Sequence, residues 1–186
     1  MLSPISAAAG RLLISEPFMM DPNFKRSVII LSEYSADGAM GFILNHAGEY
    51  MLGDVLPDVS YSEMPVYDGG PVAKNTLHFI HCCPEKIDGG IEIASGVFWG
   101  GDFDQVKELV SNYTLNENEI KFFAGYSGWT PQQLDEEIMQ DSWIVADNFK
   151  SANLFTNEQN LWKEVVIGMG QRYAHIANFP ENPALN

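Results

Sequence analysis

The chain has 186 residues, 46% of them apolar and 19% charged, which is enough to bury a sizeable core and excludes wholesale disorder. Ten Lys and Arg stand against 25 Asp and Glu, and the resulting net charge of −15 excludes a surface broadly attractive to nucleic acid. No apolar run reaches the ~18 residues that a membrane-spanning helix needs.

Taken in chain order, the first half is strand-like. Met1–Gly10 has neither the positive nor the apolar region of a secretory leader, so none is expected. Arg11–Ser15 is a short apolar run, and Arg26–Tyr34 is β-branched at its centre and predicts a buried strand. Ser35-Ala36-Asp37-Gly38 is a turn signal that joins this strand to Ala39–Asn45 as a hairpin. Leu52–Leu56 suggests one helical turn, and Met64–Asp68 a short strand stopped by Gly69-Gly70-Pro71. Thr76–Cys82, Ile91–Ala94 and Val97–Trp99 read as further strands.

Helices begin in the second half. Asp102 predicts an N-cap for Phe103–Asn112. Ile120–Ala124 is a strand, after which Gly125–Trp129 reads as a tight turn. Thr130-Pro131-Gln132-Gln133 has the pattern of a capping box, with Trp129 and Leu134 as a hydrophobic staple, and predicts a helix to about Gln140. Trp143–Ala146 is a strand, and Thr156–Gln159 repeats the capping pattern before a helix carrying Leu161, Trp162, Val165 and Val166. No linker or internal repeat interrupts the chain, so residues 1–186 read as one α+β domain, a mixed or antiparallel sheet with helices packed outside it.

The motifs of several chemistries are missing. There is no Gly-Lys dipeptide for a phosphate loop, no Gly-x-Gly-x-x-Gly after a strand, and no Cys-x-x-Cys, His-Glu-x-x-His or calcium loop. No cofactor and no metal site is therefore expected. His78, His81, Cys82 and Cys83 gather four potential ligands, but a strand separates His78 from Cys82 by roughly 13 Å at ~3.3 Å per residue. The cysteines are adjacent, have no third partner, and read as reduced structural residues of a cytoplasmic protein.

Three segments remain as candidates for function. Ser127, between Gly125-Tyr126 and Gly128-Trp129, has the position of a nucleophile between strand and helix but not the Gly-x-Ser-x-Gly spacing. Asp68-Gly69-Gly70-Pro71 is a rigid turn whose amides can cradle an anion. Arg26 opens an apolar strand and can pair with Asp135 or Glu137 near a helix N-terminus.

At these residues the chain resembles the AlgH/YqgE family of bacterial proteins. The resemblance runs from about Gly10 to Asn186, through Gly10-Arg11-Leu12-Leu13-Ile14, Asp21-Pro22-Asn23-Phe24, Arg26-Ser27-Val28, Gly38-Ala39-Met40-Gly41, Leu44-Asn45 and Tyr67-Asp68-Gly69-Gly70-Pro71-Val72. It is most specific at Gly125-Tyr126-Ser127-Gly128-Trp129 with Gln133–Ile138, Trp143 and Leu161-Trp162. It implies a barrel-like bent sheet surrounded by helices, and a regulatory role inferred from a genetic effect on alginate production. It supplies no catalytic residues. The chain departs from the family at Gln132, where Gly is common, at Asp135, where Glu is common, and at Ser127, where Ala is common. An alanine at that last position argues against Ser127 as a nucleophile.

The combined reading is a cytoplasmic regulatory or binding protein that contacts a protein or small ligand and neither nucleic acid nor membrane. Its expected cleft joins Arg26, Ser27, Asn45, Gly69, Gly70, Tyr126, Gly128 and Trp129. The alternative is a metal-independent hydrolase centred on Ser127, Arg26, Asp135 and Glu137.

Overall fold

The structure is a computed structural model that describes residues 3, 5–155 and 160–180. Its strands are β1 (Leu12–Ser15), β2 (Val28–Ser35), β3 (Gly38–Ile43), β4 (Tyr50–Met51), β5 (Pro65–Asp68), β6 (Val72–His81), β7 (Ile91–Ala94), β8 (Val97–Trp99), β9 (Ile120–Trp129) and β10 (Trp143–Ala146). The helices are α1 (Leu52–Val55), α2 (Phe103–Ser111), α3 (Gln133–Met139), α4 (Leu161–Gly168) and α5 (Gln171–Ala174). The fold is α+β. Its sheet has ten strands in the order β10-β1-β2-β3-β9-β6-β8-β7, with β5 joining beside β9 and β4 beside β5. All pairs are antiparallel except β5 with β9. The sheet curls until Gly10, next to β1, lies against the Ile93 carbonyl of β7, but it does not close into a barrel. None of the described helices is long and apolar enough to cross a membrane.

The hairpin forms as its turn signal requires, with Ser35 opposite Gly38. Asp102 caps α2 as expected, its carboxylate accepting from the Asp104 and Gln105 amides at 3.0 and 3.2 Å. One core fills the inner face of the sheet, where Ile14, Ile30, Phe42 and Phe123 meet Leu161, Trp162 and Val166 of α4 and Tyr173 of α5. The outer face is covered in two places. Beneath α3 lie Leu13, Ile29, Ile43 and Trp143. Beneath α1 and α2 lie Phe79, Ile120 and Phe122.

Three expectations are corrected. Gly125–Trp129 is not a turn: β9 continues through it, and Ser127 and Gly128 pair with Gly41 and Met40 of β3. Thr130 does not cap a helix. Its carbonyl accepts the Gln133 amide at 3.1 Å, closing a turn with Gln132 left-handed at φ 68°, and α3 starts only at Gln133. The Gln133 carboxamide reaches back to the Thr130 amide as in a capping box, but the Thr130 hydroxyl donates to that same oxygen, and no amide of α3 donates to the hydroxyl. Arg26 lies before β2 rather than opening it, at φ 48°. The second capping pattern, Thr156–Gln159, falls outside the described residues.

Candidate functional site

The eight residues expected at one cleft fall into three groups. Arg26, Ser27 and Asn45 form a polar knot beside the core. Asn45 accepts the Val28 amide through Oδ1 and donates to the Arg26 carbonyl through Nδ2, both at 2.8 Å. Ser27 is fully buried, with its hydroxyl donating to the Phe24 carbonyl and its amide to Ser15 Oγ, both at 2.9 Å. The Arg26 guanidinium lies 4.6 Å from the centre of the Trp162 ring and donates to the Phe179 carbonyl. It pairs with neither Asp135 nor Glu137. Asp135 accepts from the Tyr34 hydroxyl at 2.7 Å, which with burial raises the tyrosine above its ordinary value. Glu137 accepts from the indoles of Trp129 and Trp143 at 2.9 and 2.7 Å, and from the Gln133 side-chain Nε2 at 2.9 Å.

Gly69 and Gly70 form the second group, at the point where β3, β5, β6 and β9 meet. The Gly69 carbonyl accepts both the Ile43 amide and the Ser127 hydroxyl, each at 3.1 Å, and the Gly69 amide donates to Ala124. Gly70 has φ 145°, and a Cβ there would sit 2.4 Å from the Tyr126 carbonyl. Gly125 has φ 70°, and a Cβ there would sit 2.9 Å from the Gly70 carbonyl. Two backbones cross here at a distance that no side chain permits. The Gly-Gly-Pro turn is thus a crossing point of the sheet. Ser127 serves the same crossing: its side chain is buried and donates to a carbonyl, and among the described residues no base bonds to it.

Tyr126, Gly128 and Trp129 form the third group, at a groove of about 520 Å³ on the inner face, beyond the part covered by α4 and α5. The strand register builds it. Glu33 pairs with Met40, Met40 with Gly128, and Val72 with Tyr126, so these residues share one face across four strands. Gly128 leaves the centre of the row bare, and the Tyr126 ring lies over it, 3.3 Å from where a Cβ would be. Met40, Val72, Tyr126 and Pro131 supply the apolar surface, with Glu33, Ser35 and Asp37 along one rim. No Lys, Arg or His lines it. His78 packs edge-on against Tyr126, and burial lowers it below its ordinary value of 6.5, so it is neutral at pH 7. Glu33, Asp37, Met40 and Val72 were not foreseen. For Glu33, Asp37 and Met40 the signal was present in the hairpin, because once Ala36-Asp37 is taken as a two-residue turn, Glu33 and Met40 become partners; Val72 is placed only by its pairing with Tyr126.

The His78–Cys83 segment does not form a metal centre. His78 bonds to Thr76 Oγ1 at 3.0 Å and His81 to the Gly100 carbonyl at 3.1 Å, while the Cys82 thiol points to the Asn118 carbonyl. Burial and the nearby Glu119 push the Cys83 thiol up to about 12. Among the described residues no three His, Cys, Asp or Glu side chains converge on a metal position.

The curled mixed sheet with helices on both faces and an open groove at its hairpin end is that of a small α+β protein, and comparison with known proteins gives the family. A family model described as AlgH-like matches residues 12–174, and the chain belongs to that family. A UPF0301 protein of Chlorobium limicola is 41% identical over 177 residues, covering 95% of each chain. A UPF0301 protein of Bacteroides thetaiotaomicron is 34% identical, covering 95% of this chain and 90% of the relative. In structure the chain is similar to protein DIP2367 of Corynebacterium diphtheriae, with TM-score 0.79, 22% identity and 94% of each chain covered. It is also similar to the AlgH protein of Pseudomonas aeruginosa, with TM-score 0.71, 23% identity, and 96% of this chain and 98% of that one covered. Likeness at this identity concerns the fold.

Proposed function

We propose that this AlgH-like protein is a cytoplasmic binding protein that exerts a regulatory effect through contacts made at the β2–β3–β9–β6 groove, without touching DNA itself. The carrying observation is the uncovered row Met40–Gly128 with the Tyr126 ring beside it, on a sheet face that is buried elsewhere. The polar groups of the hydrolase alternative each hold the fold: Ser127 at the crossing, Arg26 on Trp162, Asp135 on Tyr34 and Glu137 between two indoles. Absence of direct DNA contact follows from the charge of −15 and the scatter of its cations.

A photo-crosslinking amino acid placed at Met40 and, as a control, at Ile91 on β7 tests this in living cells. A defined adduct from position 40 and none from position 91 is expected. Equal or absent crosslinking at the two positions overturns the reading.

A further inference from the structure

The groove has a chemical preference, and this inference rests on the binding role proposed above. We infer that it takes an extended segment of a partner protein in which basic side chains alternate with apolar ones. Three observations lead there. First, Glu33 and Asp37 stand exposed on one rim, and their carboxylates make no ion pair with any Lys or Arg among the described residues. Second, no positive charge lines the groove. The nearest cation along β6, Lys74, turns to Asp68 at 2.9 Å, and His78 behind Tyr126 is neutral at pH 7. Third, the floor is apolar and aromatic, with Met40, Val72 at 36% exposure, and the Tyr126 ring.

A guanidinium or ammonium reaching the rim meets two carboxylates, and its aliphatic stem lies along Met40 and Tyr126. Met40, at the floor of the groove, is paired on both sides, with Glu33 and with Gly128, so a partner seated there is held by side chains. A volume of about 520 Å³ lies within the ~300–1,000 Å³ typical of ligand clefts and admits only a few residues at once. A second copy of this chain is a poor occupant. It carries the same charge of −15, and many of its cations are engaged: Arg26 on Trp162, Lys86 on Glu119, and Lys107 on Asp58 and Asp104.

The test titrates the full ¹⁵N-labelled chain with two short peptides, one alternating arginine with leucine and the other glutamate with leucine. The arginine peptide is expected to shift the amides of Ala39, Met40, Tyr126 and Gly128, and to bind more weakly as salt rises. The double variant Glu33→Lys with Asp37→Lys is expected to weaken it at least ~tenfold, since like charges then meet at the rim. The milder pair Glu33→Gln with Asp37→Asn is expected to act in the same direction, and the amide spectrum of each variant reports that the fold is kept. Shifts spread over the whole acidic surface, unchanged affinity in both double variants, or no binding overturns the inference. Binding of the glutamate peptide at the same amides overturns the basic preference and leaves the binding role standing. A crosslink at position 40 without any response to the arginine peptide does the same.

Discussion

From Ile120 to Ala124, β9 runs between β5 and β6 with a helical layer on each side of the sheet. From Gly125 to Trp129 it runs between β6 and β3, and its inner face lies open at Gly128. The first half carries Phe122 and Phe123 in succession, as a strand covered on both faces does. The second alternates, with Ser127 and Trp129 buried on one face and Tyr126 and Gly128 left to the other. One strand therefore serves as core in its first half and as a platform in its second. Gly125 divides the halves where the Gly69–Gly70 backbone crosses it.

The hardest way to break this division is at the crossing. Gly70→Ala forces a Cβ into the Tyr126 backbone at a φ that L residues rarely adopt, and a loss of about 4 kcal/mol or more is expected in chemical denaturation. Next come the halves themselves. Phe122→Ala is expected to cost about 3–4 kcal/mol, as a cavity in a packed core does. Tyr126→Ala is expected to cost about 1 kcal/mol, because its ring is only half-buried. Equal losses from these two would erase the distinction. Ser127→Ala, which removes one of two donors to the Gly69 carbonyl, is expected to cost about 1 kcal/mol and to leave binding at the groove unchanged by titration.

The histidines sharpen the comparison through pH. Burial holds His46, His78 and His81 below their ordinary value of 6.5. The unfolded chain then takes up these protons first as pH falls through 6.5. Their contribution is full above that value and declines below it, until the folded forms protonate as well. The change in Tm between pH 7.5 and 5.5 is expected to become less destabilising toward acid in His81→Gln than in the parent chain. An identical change in the two chains would show that His81 does not contribute. The smallest effect is expected from Thr130→Ala, below about 0.5 kcal/mol, because its hydroxyl meets only the Gln133 side chain and caps no amide of α3.

Much of the fold was legible because it is written in local patterns. The hairpin turn, the Asp102 cap and the limits of β7, β8 and β10 all follow from spacing and turn chemistry. What misled lay at glycines. Gly125 and Gly128 read as a turn, because a strand containing them makes sense only when another backbone crosses at one and a ring lies over the other. Gln132 hid the late start of α3, since nothing local requires a left-handed residue there. The candidate site was half legible. Tyr126, Gly128 and Trp129 do line the groove, whereas Ser27 and Asn45 looked functional for the reason that makes them structural, namely that polar groups beside a core must be bonded, and Arg26 lies with them against the Trp162 ring.

The position of β9 also orders events during synthesis. Its partners β3, β5 and β6 all precede it in the chain, and β1 waits still longer for β10. A nascent chain that has reached α2 has made every strand from β1 to β8 but lacks the one that joins the β2–β3 hairpin to the β6–β8 ribbon. Until Ile120–Trp129 leaves the ribosome, the edges of three strands and the apolar faces behind them stand bare together. That interval, rather than the finished molecule, is when this protein is most exposed to aggregation and most in need of a chaperone.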